Sequence, residues 1–334
     1  MTLMPSFRLH RSASVADALA ALAAAPGGRP LGGGTDLLPN LRRGMGEPPA
    51  LVDLTAVAGL DQMEVGTDGL RLGATVSLAR IAEDPRVQDG WPALAQAAAS
   101  VAGPTHRVAA TLAGNLCQET RCVYLNQSDW WRAANGYCLK LKGEVCHAVK
   151  KSERCYAVYA GDVAPALMVL GAEVEVQGDG GVRLLPLADV YHEEGRTHLT
   201  LRPGEIVTAI HVPPPAGFVA GYAKVRIRDS VDFPLAGVAV ALRREGGRLA
   251  GLRAALTGVA SAPVLVPGLD GLEGQPWSES AATILAEAVR TACKAVRTTL
   301  VAPKYRRRVA AASAVRLAGA LWDSGDSLTA NASI

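Results

Sequence analysis

Five of the chain's six cysteines, Cys117, Cys122, Cys138, Cys146 and Cys155, fall within 39 consecutive residues, and the other 295 residues hold only Cys293. Thiols this concentrated must be gathered by the fold that carries them, so the stretch constrains the chain more than any other. The gaps between the five are four, fifteen, seven and eight residues. The paired CxxC knuckles of zinc ribbons are absent, and so is the close run of a common ferredoxin. Irregular spacing suits a cluster in a well-supported loop, where tertiary structure and not the local chain brings thiolates together. The N-terminal stretch MTLMPSFRLHRSASVADALAALAAAPGG reads as a strand and an alanine-rich helix interrupted by Asp17, not as a secretory leader. A cytoplasmic protein is therefore expected, in which clustered cysteines serve a metal or redox site and not a disulfide framework.

The 334 residues are 49 % hydrophobic and 19 % charged, which points to a soluble globular chain long enough for two or three cores. A net charge of +3, dispersed along the sequence, argues against nucleic-acid binding. No apolar run reaches membrane-spanning length, so no membrane partner is expected. Up to about residue 55 the pattern is strand, helix, strand, with Ser14 as a helix N-cap. Residues 56–215 alternate short strands (LRLGATV, AEVEVQ, VRLLPL, EIVTAIHV) with the helices WPALAQAAASVA and APALMVLGA, and the cysteine stretch of about 117–156 interrupts them. Pro213, Pro214 and Pro215 form a stiff linker. Residues 216–334 follow as strands (GYAKVRIR, PLAGVAVALRR, GLRAALTGVA) and two helices, ESAATILAEAVRTACKAV and YRRRVAAASAVRLAGALW. The expected class is α+β: a small βαβ part (1–55), a larger mixed part (56–215) and a C-terminal domain of antiparallel strands and helices. Arg306, Arg307 and Arg308 are expected on a solvated helix face, and Cys293 as a small buried hydrophobe.

Gly32, Gly33 and Gly34 follow a strand and precede Thr35 and Asp36. Glycines there let backbone N–H groups approach a phosphate closely. The loop has neither the lysine of a Walker motif nor the GxGxxG spacing of a dinucleotide fold. Taken alone, it is better described as a mobile turn. A second small-residue loop, Thr111, Leu112, Ala113, Gly114 and Asn115, offers a further anion contact. Two such loops suit a ligand with two phosphates.

The motifs LGGGTDLLP, LVDLTAVAGL, LRLGATVSLARI, TLAGN and GDVAPALMVLGAEV resemble, in order and spacing, the FAD-binding medium subunits of the molybdenum hydroxylases. The resemblance covers nearly the whole chain outside the cysteine stretch, through KYRRRVA near the end. It implies that Arg29, Pro30, Leu31, Gly32, Gly33, Gly34, Thr35 and Asp36, together with Thr111 to Asn115, bind the FAD pyrophosphate. It further implies that Val101 packs on the cofactor and that Asp162 and Lys224 make polar contacts with it. Without the resemblance, Asp162 reads equally as a helix N-cap, and Lys224 reads better as a solvated strand residue. Ala113 departs from the glycine usual in the family at that place.

In ordinary members TIGGN is followed within a few residues by the segment of the cofactor aspartate, whereas here some forty residues intervene. TRCVYLNQSDWWRAANGYCLK and CHAVKKSERCYA resemble the flavin subunits of the 4-hydroxybenzoyl-CoA reductases. That implies a 4Fe–4S cluster on Cys122, Cys138, Cys146 and Cys155, with Cys117 packing beneath the FAD site. It also implies a large molybdenum-cofactor subunit and a small 2Fe–2S subunit as partners, in a dimer of heterotrimers, with ferredoxin as electron donor. A related aldehyde or N-heterocycle hydroxylase with outward electron flow remains an alternative, as does a zinc-stapled, non-redox nucleotide-binding module. His147 could replace one thiolate or stand behind the ligands. Tyr124, Trp130, Trp131, Tyr137 and Tyr156 are expected to shield the cluster. Seven Lys or Arg against four Asp or Glu between 118 and 156 suggest a basic face for an acidic redox partner.

Overall fold

Three short strands, β1 (Arg8–Arg11), β2 (Arg29–Leu31) and β3 (Ala50–Asp53), form a parallel sheet in the order β1-β3-β2. The computed structural model describes residues 4–330, with the side chains of 325–330 excepted. The outermost residues of the two expected terminal domains thus lie outside the described residues. Parallel pairing requires crossovers, and helices α1 (Val15–Ala24) and α2 (Leu37–Arg42) supply them. Ser14 starts α1 by accepting the Asp17 N–H at 3.1 Å. Ala18 and Leu22, four residues apart, bury one helix face against Val52, Leu54 and Val57.

The second sheet is antiparallel, in the order β4-β5-β8-β6-β7: β4 (Met63–Gly66), β5 (Gly69–Gly73), β6 (Glu173–Gly178), β7 (Gly181–Pro186) and β8 (Ile206–Val212). Between β5 and β6 lie α3 (Leu78–Glu83), α4 (Pro85–Gly90), α5 (Pro92–Ala99), α6 (Pro104–Ala109), α7 (Leu112–Leu116), α8 (Asp129–Ala134) and α9 (Val163–Val169). Every residue of α9 is buried. It is the central rod of the main core.

The third sheet, β12-β11-β10-β9, is built from β9 (Val219–Val225), β10 (Ala236–Glu245), β11 (Arg248–Thr257) and β12 (Val264–Leu265). Side chains of β10 alternate between its two faces, up to a register shift at Arg243/Arg244. Val238, Val240 and Leu242 of β10 face α10 (Glu279–Ala292) and α11 (Pro303–Ala330), whereas Ala239 and Ala241 face the main core. Alanines on that inner face let α9 come close. Two expectations fail in this domain. The helix expected through Val296 stops at Ala292. Arg306 is not solvated but fully buried, donating to the carbonyls of Leu235, Val296 and Gly258 and to Thr298 Oγ1. Arg307 likewise caps the Cys293 and Ala295 carbonyls. The segment after α10 has no helix to satisfy its carbonyls, and these guanidinium groups do so instead.

The cysteine stretch leaves the core after α7 and returns at α9. Its neck is closed by a reciprocal backbone pair, Arg121 N–H to Val158 O at 2.7 Å and Val158 N–H to Arg121 O at 2.6 Å. The Val123 N–H donates to Thr298 O at 2.7 Å, tying the stretch to the C-terminal domain. Inside it, the buried Arg132 donates to the carbonyls of Leu125, Gln127 and Arg43.

Candidate cofactor cavities

Both glycine-containing loops border one cavity of about 470 Å³, a size usual for cofactor clefts. Its wall includes Arg29 to Asp36, Val101, Thr111, Ala113, Gly114, Asn115 and Asp162. Among the described residues, the N–H groups of Gly32, Gly33, Gly34 and Thr35 have no protein acceptor. Four adjacent unpaired donors fit a phosphate group well. Gly34 takes φ +71°, a conformation disfavoured for residues with a side chain. Gly33 is required for another reason, since a Cβ there would stand 1.6 Å from Ala109 O. That contact is with the end of α6; the second loop is met one residue earlier, where a Cβ on Gly32 would stand 2.5 Å from Thr111 Oγ1.

The second loop is the first turn of α7, with Thr111 as N-cap accepting the Gly114 N–H at 3.2 Å. The Leu112 and Ala113 N–H groups donate to Val76 O and Ala74 O, and the Leu112 side chain is in the core. These two residues hold the loop in place and present no free donor to an anion. Ala113 has no left-handed backbone, so the exchange for glycine costs nothing here. Asn115 Oδ1 accepts the Val163 N–H, joining this loop to the start of α9.

Asp162 stands at that start but does not cap the helix. Its carboxylate accepts from the Tyr222 hydroxyl at 2.6 Å and from Lys224 Nζ at 2.9 Å, and Lys224 also donates to Ser100 O at 2.9 Å. Both charges are almost completely buried. Burial pushes the Asp162 carboxyl upwards, while Lys224 and Tyr222 oppose that shift. Lys224 therefore fixes Asp162 from behind and is not itself on the cavity wall. It is no solvated strand residue.

A second, much smaller cavity of about 20 Å³ is lined by Cys122, Cys138, Cys146 and Cys155, with Tyr124, Leu125, Lys140, His147 and Ala157. Cys117 is not among them: it lines the large cavity. Burial raises the Cys122 thiol to about 12 and the Cys155 thiol to about 11. The backbone N–H groups of Tyr124 and Leu125 at Cys122, and of Ala157 at Cys155, work against that rise. Among the described residues, no three His, Cys, Asp or Glu side chains are grouped so as to hold a metal ion. The His147 ring nitrogen meets Tyr137 O at 2.5 Å.

Two expectations for this stretch change. Of the five aromatic residues, only Tyr124 lines the small cavity, and Trp130 is 77 % exposed. Of the seven cations, Arg132 is buried, Lys140 bonds Glu119 (2.8 Å), Thr120 and Gly195 O, and Arg121 pairs with Asp36. The remaining cations of the stretch, Lys142, Lys150, Lys151 and Arg154, number four against three acids, Asp129, Glu144 and Glu153, and Arg154 pairs with Glu193, so the charge is nearly balanced. Residues missed from sequence are Gln118, Arg121 and Phe233 on the large cavity, and Tyr222 behind Asp162. No motif marks them. They are placed by the neck of the cysteine stretch and by strand register.

Residues 5–215 match the family model of the FAD binding domain in molybdopterin dehydrogenase, and residues 220–321 match the CO dehydrogenase flavoprotein C-terminal domain. The chain belongs to the FAD-binding, medium-subunit family of the molybdenum hydroxylases. It is 37 % identical over 300 residues to the aldehyde oxidoreductase FAD-binding subunit PaoB of Escherichia coli (strain K12), covering 86 % of this chain and 92 % of that one. It is 30 % identical to the carbon monoxide dehydrogenase medium chain of Afipia carboxidovorans, covering 93 % and 86 %. The fold superposes on a solved Cu,Mo-CO dehydrogenase with a TM-score of 0.78 at 24 % identity, over 96 % of this chain and 99 % of the other. The first match ends at residue 215, with the Pro213–Pro215 stretch, and the second begins at residue 220, within β9.

Proposed function

We propose that this chain is the electron-transfer subunit of a 4-hydroxybenzoyl-CoA reductase-type enzyme, with FAD in the large cavity and a 4Fe–4S cluster in the small one. The observation that carries the reading is the separation of the thiols, four around one cavity and Cys117 on the other. When bound, the two groups supply a relay of one- and two-electron carriers between a ferredoxin-class donor and the 2Fe–2S and molybdenum centres of partner subunits. The protein's part is to bind and orient. Gly32 to Thr35 offer phosphate donors, Asp162 is held at the wall by Lys224 and Tyr222, and backbone N–H groups point at the sulfurs of Cys122 and Cys155. A cluster takes one thiolate per iron, so four thiols around one cavity match it in number, whereas a single zinc ion would need all four sulfurs at about 2.3 Å. The partners in this reading are a large molybdenum subunit and a small 2Fe–2S subunit in a dimer of heterotrimers, in the cytoplasm.

A second reading is favoured by the 37 % identity to an aldehyde oxidoreductase subunit: the same cofactors in an aldehyde or N-heterocycle hydroxylase with outward flow. Metal and flavin analysis of anaerobically purified protein tests what both readings share. About four irons and one FAD per chain are expected. Stoichiometric zinc without iron would return the small cavity to a structural staple.

A further inference from the structure

Asp36 raises an electrostatic problem. It ends the loop whose N–H groups stand free for a phosphate, and a carboxylate beside a diphosphate repels it. The neck of the cysteine stretch answers it. The Glu119 N–H donates to Asp36 Oδ2 at 2.9 Å, and Arg121 Nη2 pairs with Asp36 Oδ1. The Arg121 guanidinium lies 4.1 Å over the ring of Phe233, which also lines the large cavity. Its side chain is only 15 % exposed, and its Nε is buried without a partner among the described residues. A buried cation with an unused donor, on the wall of a cavity built for a dianion, calls for an anionic ligand.

We propose that Arg121 is a binding residue for the diphosphate of FAD, neutralising Asp36 and contributing its free donor. The inference rests on FAD occupying the large cavity. Because the Arg121 backbone is paired on both sides with Val158, the neck of the cysteine stretch sets the position of this guanidinium. Flavin affinity then depends on a segment outside both glycine loops.

The test is FAD titration of the deflavinated full chain, followed by quenching of flavin fluorescence. Arg121→Ala is expected to weaken FAD binding about tenfold or more, and Asp36→Asn to change it little or tighten it. The double variant should recover part of the loss, because the uncompensated carboxylate is gone. Should Arg121→Ala not fold, Arg121→Gln is titrated under the same criteria. A folded Arg121 variant within twofold of wild type overturns the proposal, as does a double variant no better than the single one. Failure of the wild-type chain to take up FAD removes the occupant itself, an outcome distinct from normal uptake with indifferent variants.

Discussion

His198 is 3 % exposed and lies close to Glu119 and Lys140, and burial depresses its pKa from 6.5 to about 4. Above pH 6.5 folded and unfolded rings are both neutral, and its contribution to stability is complete. As the pH falls below 6.5 the unfolded imidazole binds a proton that the folded one refuses until about pH 4. Stability is therefore lost across that window, by up to about 3 kcal/mol. Urea unfolding at pH 7, 5.5 and 4.5 should show a shallower acid limb in His198→Gln. An unchanged limb would shift the acid sensitivity to other groups. Gly33 behaves differently. Sequence marks it as a glycine for phosphate approach, yet its hydrogen faces Ala109 O, so Gly33→Ala should lower the stability of the flavin-free chain by about 1–3 kcal/mol. Equal unfolding midpoints for variant and wild type would leave phosphate approach as its whole purpose. Single residues were legible where chemistry is local, as at Ser14 or Gly34. They were illegible where burial decides, as at Arg306 and Lys224, whose charge alone suggests solvent.

Among elements, the cysteine stretch shows what spacing can and cannot give. Its sequence separates it from the strands and helices around it, and the thiol count limits what it can hold. The neck pairing of Arg121 with Val158 and the tie from Val123 to Thr298 join residues 37 and 175 positions apart, beyond any periodicity. Helices α3, α4, α6 and α7 escaped a pattern reading because they have only five or six residues each, too short to display a face. Helix α9 and strand β10 were readable because each carries a continuous apolar run. If the four thiols around the small cavity hold a cluster, Ser at Cys122, Cys138, Cys146 or Cys155 should lose iron and the broad visible absorption. Cys117→Ser and Cys293→Ser should keep both, since one thiol lines the large cavity and the other sits in the C-terminal core. Iron lost from Cys117→Ser but kept in Cys122→Ser would reassign the ligands.

At the scale of the molecule, the two cavities are joined by ion pairs: Arg29 on the large one, Glu119 between (3.3 Å), and Lys140 on the small one (2.8 Å from Glu119). If both cavities hold redox groups, as proposed, electrons can pass either way, and the substrate on the partner subunits would set the direction. An ordinary hydroxylase oxidises its substrate and needs this subunit only as an exit. Removing a phenolic hydroxyl instead drives electrons onto an aromatic ring, which demands a strongly reducing donor and an entry port. The cysteine stretch lies outside the main core with its exposed charges nearly balanced, so long-range steering of an acidic donor would be weak. Reduction by a small low-potential viologen should therefore be as informative as reduction by ferredoxin. The complete complex is predicted to reduce 4-hydroxybenzoyl-CoA with either donor, and Cys138→Ser should slow reduction of the flavin while FAD stays bound. Rapid aldehyde or heterocycle oxidation by the same complex, with no turnover of the hydroxybenzoyl thioester, would decide for outward flow.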